Sequence, residues 1–150
     1  MSGAPDVELV CAACDHRCDP RFGPPFRCPN LGDGRDHLYA VRLAADGAFQ
    51  PRTDEAHPYL RYADLLAAGR LVRRATGSLA RYERAVRKLD DALTEVAGVG
   101  LTSRLAARCD ALSDALGFDA GGGVWVLDET AQPSGSHKAR HLFGVALWLD

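Results

Sequence analysis

Two groups of residues in this sequence have types and spacings that suit chemistry. Near the C-terminus, Asp128-Glu129-Thr130-Ala131-Gln132-Pro133-Ser134-Gly135-Ser136-His137-Lys138-Ala139-Arg140 follows directly on the apolar run Val124-Trp125-Val126-Leu127. The pattern predicts a short buried strand, a turn of small residues, and a lysine opening an apolar helix. A helix N-terminus carries a partial positive potential that disfavours an ammonium and so favours the neutral, nucleophilic amine. Such an amine suits imine formation with a carbonyl cofactor. Ser134 and Ser136 can accept hydrogen bonds from the orphan amides of the first turn, and Gly135 lets backbone approach a ligand closely. Taken alone, a lysine at a helix start is most often a solvated surface residue, so its spacing names no reaction.

The second group lies near the N-terminus. Cys11-Ala12-Ala13-Cys14 offers two thiolates to one tetrahedral ion, and Cys28-Pro29 follows a Gly/Pro loop as a second knuckle would. A complete ribbon would carry a second CxxC, but residue 31 is leucine. The expected metal ligands are therefore Cys11, Cys14, Cys28 and Cys18, with His16 and His37 as alternatives for the fourth place. Structural zinc, a metal-free knuckle and a redox CxxC all remain open at this level. The fifth thiol, Cys109, falls on the apolar face of an expected helix and reads as a core residue.

Three zones must position these groups. Residues 1–58 hold four of the five cysteines, and Pro20, Gly23, Pro24, Pro25 and Pro29 exclude a long helix there. Tyr39, Val41 and Leu43 alternate with Ala40 and Arg42, Asp46-Gly47 supplies a turn, and Ala48-Phe49 can begin a return strand. This zone reads as a small β-hairpin beside a cysteine-bearing loop. Residues 59–97 are helical: Leu79, Tyr82, Val86, Leu89, Leu93 and Val96 recur at steps of three and four, with Ser78 as N-cap and Gly98 as the stop. Packing of this stripe against its own domain is expected over a coiled coil. His57-Pro58 sits in a turn-like stretch, and Asp90-Asp91 reads as solvated charge on the face away from the stripe.

The third zone, residues 98–150, places Leu105, Cys109, Leu112 and Leu116 on a short amphipathic helix closed by Gly117. Gly121-Gly122-Gly123 precedes a strand instead of following one, which is the wrong order for cradling phosphate, so it reads as a turn. The last helix, from about His137, is apolar nearly all round and expects cover on several sides. One strand cannot make a sheet, and the zone reads as the front part of something larger.

Pro133-Ser134-Gly135-Ser136-His137-Lys138 resembles the lysine motif of the fold-type-II pyridoxal-phosphate enzymes, the superfamily of threonine synthase, serine/threonine dehydratases, cystathionine β-synthase and the tryptophan synthase β chain. Asp128-Glu129 before the motif and Arg140 after it fit the frame. Upstream, Gly98-Val99-Gly100-Leu101-Thr102-Ser103-Arg104-Leu105 is similar to the Gly-x-Thr-Pro-Leu segment of these enzymes. A cysteine-bearing front segment is similar to threonine-synthase-like members. The match is close over residues 98–150 and loose before that. His137 departs from the usual Phe, Tyr or Ile before the lysine, although a His-Lys pair occurs in the tryptophan synthase β chain, and His141 replaces a usual small residue.

The resemblance implies an α/β fold: the N-terminal part of a fold-type-II pyridoxal-phosphate enzyme with an incomplete sheet and a small Cys-rich, zinc-ribbon-like β appendage. It implies pyridoxal 5'-phosphate as cofactor, Lys138 as the Schiff-base lysine and proton shuttle, Ser136 lining the cofactor pocket, and His137 as a phosphate contact. The implied reaction is β- or γ-elimination or replacement on an amino-acid substrate. The family's Ser/Thr-x-Gly-Asn loop and phosphate-binding Gly-rich loop do not follow Lys138 in this sequence. The expectation is a truncated gene product, split subunit or fragment, inactive alone, which forms a homodimer when full length or works with a complementary C-terminal chain.

The 150 residues, 47% hydrophobic and 25% charged, suit an ordinary globular protein. A formal net charge of −2 gives no general attraction to nucleic acid or anionic membrane, and the arginines from Arg61 to Arg108 are interleaved with acids. Met1 to Val10 does not resemble a signal peptide, and no apolar stretch reaches the roughly 20 residues needed to cross a bilayer. A cytoplasmic protein with reduced cysteines is expected. The alternative of a different class is a non-catalytic zinc-ribbon module that binds protein or nucleic acid.

Overall fold

The computed structural model describes residues 6–20, 27–44 and 51–149. They form a mixed α/β structure with two small sheets and a helical layer. Strand β1 (Val7–Cys11) is central in a three-stranded antiparallel sheet, between β2 (Arg17–Cys18) and β3 (Tyr39–Leu43). A central strand is paired along both edges, and Val7, Leu9, Val10 and Cys11 are all buried. β3 has the bounds that its alternation predicts, but its partner is β1, pairing Cys11 with Tyr39 and Val7 with Leu43. Strand β1, apolar at four of its five positions, is not among the strands that the alternation of residues predicts. The expected turn at Asp46-Gly47, the return strand at Ala48-Phe49, and Gly23, Pro24 and Pro25 lie outside the described residues.

The helical zone is broken into α1 (Pro58–Arg61), α2 (Ala67–Thr76) and α3 (Ala80–Ala97). A 3-10 turn at Ala63–Leu65 separates the first two, and Gly77, left-handed at φ 72°, ends α2. Gly98 closes α3 at φ 74°, as its position predicts, and Ser78 Oγ accepts the Ala80 amide at 3.1 Å. The stripe on α3 is real: Leu79, Tyr82 and Val86 are buried with Leu60, Ala63, Leu101 and Phe143, and Leu89 and Leu93 pack against them. Val96 is the exception at 87% exposed, because the last turn of α3 runs past the core.

Residues 107–126 depart further from expectation. Ala107 and Arg108 form strand β4, antiparallel to β5 (Trp125–Val126). That pairing holds them extended, so the next helix, α4 (Asp110–Ala115), starts after Cys109. Leu105 is 90% exposed, Leu112 and Leu116 are exposed, and the half-buried Cys109 precedes the helix instead of lying on its face. The expected buried strand is an exposed one: Trp125, Val126 and Leu127 keep about half or more of their surface because no described element covers them.

The last helix, α5 (Lys138–Leu149), packs through Ala139, Phe143 and Leu147, while Leu142, Val145 and Leu149 stay exposed. No described helix is long and apolar enough to cross a membrane. α2 meets the preceding turn at Gly69, where an added Cβ would lie 2.2 Å from the Ala63 carbonyl oxygen. Gly69→Ala gains up to about 1 kcal/mol of helix propensity, but overpacking against backbone costs about 1–3 kcal/mol. The expected net result is destabilisation, read as a lower denaturant midpoint with an unchanged slope. An unchanged or raised midpoint would contradict the close contact.

Candidate metal centre and the lysine loop

Three thiols and one imidazole converge where β1 ends. The ligand atoms of Cys11, Cys14, Cys28 and His37 all lie within 4.8 Å of one another. Cys11 Sγ is 3.5 Å from His37 Nδ1, and Cys14 Sγ is 3.5 Å from Cys28 Sγ. A tetrahedral ion with ordinary metal–sulfur and metal–nitrogen bonds separates its ligands by about 3.5 to 3.8 Å. The group can therefore hold a metal ion with little rearrangement.

Local folding explains the convergence. Cys11 is the last residue of β1. The chain turns through Ala12 and Ala13, where Asp15 (φ 56°) donates its amide to the Cys11 carbonyl at 3.0 Å, and Cys14 is carried back under the strand. Ala12 also donates to the Leu38 carbonyl at 2.8 Å, which draws the residue after His37 against the knuckle. Cys28 begins a second turn, its carbonyl accepting the Leu31 amide at 3.1 Å. Cys11, Cys28 and His37 are buried, and Cys14 is at the rim.

Cys18 lies outside the group. It faces Leu9 across the β1–β2 ladder, with its Sγ 3.7 Å from the Asp19 carbonyl. That makes it a diagonal neighbour of Cys11, and such pairs sit about 7–8 Å apart. His16 is engaged elsewhere, with Nδ1 2.9 Å from the Tyr39 hydroxyl. The fourth member is His37, one of the two histidines held as alternatives. Cys109 is remote in sequence and uses its amide on the Val124 carbonyl.

The surroundings act on Cys14, Cys28 and His37 in different directions. The Asn30 side-chain amide, 3.3 Å from Cys14 Sγ, is the largest influence lowering that thiol to about 6. Burial pushes the Cys28 thiol up. Asp33, 2.7 Å from His37 Nε2, raises the imidazole above its usual value. Arg35 and then His37 hold the Asp33 carboxyl well below the carboxylate range. The lowered Cys14 thiol suits a cation among the sulfurs, and a bound ion would take the place of the proton on His37 Nδ1.

The lysine loop is held differently. Asp128 accepts from both the Thr130 amide and its hydroxyl, and Ser134 (φ 59°) and Gly135 (φ 62°) turn the chain. Ser136 Oγ accepts the Lys138 amide at 3.2 Å, so the serine caps the first turn as expected. Lys138 and His137 are exposed and Ser136 is half-buried. No described residue forms an ion pair or side-chain hydrogen bond with the Lys138 amine.

Gln132, Glu129 and Arg140 fasten the loop through contacts that residue spacing does not mark. Gln132, 2% exposed, donates to the Thr102 carbonyl at 2.8 Å and accepts the Thr102 amide at 3.3 Å. Arg140 joins Glu129 to the same carbonyl, at 3.1 and 2.9 Å. Asp90 is not merely solvated charge: it accepts the Leu101 amide at 2.8 Å and lies 3.4 Å from His57 Nε2. Nothing in local periodicity marks such side chain-to-backbone clasps.

The ligand set has a direct test. The chain should retain one equivalent of zinc or cobalt(II), Cys18→Ala should keep the same affinity, and His37→Ala should weaken it by about tenfold or more. Equal losses in the two variants would contradict the observed group. No family model, curated protein or solved structure matches the chain.

Proposed function

We propose that this chain is the lysine-bearing part of a pyridoxal-phosphate-dependent enzyme that acts on an amino acid by β- or γ-elimination or replacement, with a structural zinc ion in its cysteine knuckle. The observation that carries the reading is Lys138 itself, the first residue of α5, exposed, with its amide capped by Ser136 after a left-handed Ser134-Gly135 turn. The reading assigns residues to the carbonyl end of such a cofactor. Lys138 would hold it through the amine, with Ser136 and His137 beside it. The chemistry supplied by the bound group is electron withdrawal from the substrate Cα.

The chain's own contribution is positional. A primary amine with no competing described partner is available as a nucleophile and afterwards as a proton carrier. Gln132 and Arg140 fix the loop to Thr102, so the amine is presented from an anchored turn instead of a loose one. The exposed apolar residues Trp125, Leu127, Leu142 and Leu149 are the kind of surface that further polypeptide covers in a larger α/β domain. That agrees with a lysine segment inactive alone. At the knuckle, three sulfurs and one nitrogen are a common tetrahedral zinc set, which supports zinc over harder ions.

A second reading, a non-catalytic zinc-ribbon module that binds protein or nucleic acid, is favoured by the same Cys11, Cys14, Cys28 and His37 group. The sequence offers an internal control, because its only lysines are Lys88 and Lys138. Lys88 is also exposed, on α3. Incubation with pyridoxal phosphate, borohydride reduction and peptide mass spectrometry should place the pyridoxyl group on Lys138 well ahead of Lys88, and Lys138→Ala should remove it. Equal labelling of the two lysines would remove the enzyme reading and leave the zinc module.

A further inference from the structure

His37 presents its two ring nitrogens to different partners. Nδ1 faces Cys11 Sγ at 3.5 Å, and Nε2 lies 2.7 Å from Asp33 Oδ1. Turning the ring over about Cβ–Cγ would put carbon at both places, so one rotamer alone makes both contacts. The imidazole is fully buried, and no bulk water substitutes for either partner.

Asp33 is itself held. Its Oδ1 accepts the Arg35 amide at 3.0 Å, and its Oδ2 accepts Arg35 Nε at 2.7 Å. The same guanidinium donates through Nη1 to the Ala13 carbonyl at 2.6 Å, inside the Cys11-x-x-Cys14 turn. The connection is a closed circuit from the cysteine turn through Arg35 and Asp33 to His37, and back to Cys11. Since Asp33 occupies Nε2, the only ring nitrogen left to face the sulfurs is Nδ1.

We propose that His37 ligates the metal through Nδ1 and that Asp33 is the positioning residue that fixes this orientation, with Arg35 tying the carboxylate to the cysteine turn. The inference rests on the metal reading above and adds what that reading leaves open: which nitrogen binds, and what sets it. A carboxylate on the far nitrogen fixes the tautomer and raises the basicity of the ligating one. The hydrogen bond keeps the ring proton on Nε2 when Nδ1 gives its lone pair to the ion.

Two measurements test this on the full chain. Long-range proton–nitrogen correlation of the 15N-labelled, zinc-loaded protein should show His37 Nδ1 bound to metal and Nε2 protonated. Competition titration should show Asp33→Ala weakening zinc by about tenfold to a hundredfold, with Asp33→Asn recovering part of the loss because its amide oxygen still accepts from Nε2. Cobalt(II) spectra of both variants should keep their thiolate charge-transfer bands, which reports that the sulfurs still assemble. Metal bound at Nε2, or unchanged affinity in Asp33→Ala, would overturn the inference and leave the zinc site standing. Failure of the unaltered chain to bind zinc or cobalt would overturn both.

Discussion

The packing of Phe143 on Tyr59 is the contact on which the helical half of this protein hangs. Their ring centroids are 4.8 Å apart, in a tilted arrangement that aromatic pairs favour. Tyr59 lies on α1, and its hydroxyl donates to the Arg140 carbonyl while its own carbonyl accepts from the Tyr82 hydroxyl. One residue thus joins α1, α3 and the first turn of α5. Gly144 makes the approach possible, since a Cβ there would come 2.8 Å from the Tyr59 oxygen. Lys138 stands five residues before Phe143 on the same helix, so the direction of its helix depends on this contact.

The same helix shows where a one-dimensional pattern stops being informative. On α3, apolar residues occupy one stripe, and the buried face could be read directly from their spacing. On α5 nearly every position is apolar, so spacing cannot select the face. The neighbouring elements make the choice: with α3 beside it and Tyr59 against Phe143, Ala139, Phe143 and Leu147 turn inward, and Leu142 and Leu149 do not. The short strands were still harder to read. Trp125 and Val126 have the β-forming side chains that predict a strand, and they form one, but burial depends on covering elements that spacing does not describe.

At the metal group the sequence identified Cys11, Cys14 and Cys28, because thiol spacing is nearly the whole signal there. The fourth member depends on register. Cys18 is closer in sequence to Cys14 than His37 is, yet β2 must pair Cys18 with Leu9 to satisfy its backbone, which leaves it one diagonal step from the site. His37 is brought in by the β1–β3 ladder, in which Tyr39 faces Cys11. The pairing of two strands separated by the whole cysteine loop puts His37 in the place that spacing assigns to Cys18. β1 itself was the strand that alternation did not reveal, so the ligand choice and the missed strand have one cause.

Charge accounts for the remaining design of the knuckle. Three thiolates around a divalent cation would leave a net negative charge in a site where Cys11 and Cys28 are buried. Such a site needs donors and positive charge placed close by, and the chain places them within a few residues. Asn30 donates to the most exposed sulfur, and Arg35 sits over the cysteine turn with its guanidinium on the Ala13 carbonyl. Asp33 would add to the negative charge if it stood alone, but Arg35 meets it on one side and His37 on the other. The carboxylate therefore acts locally on the ring while its charge is balanced by the residue that anchors it. A histidine in place of a fourth thiolate would serve the same balance, since a neutral imidazole adds a ligand without adding another negative charge.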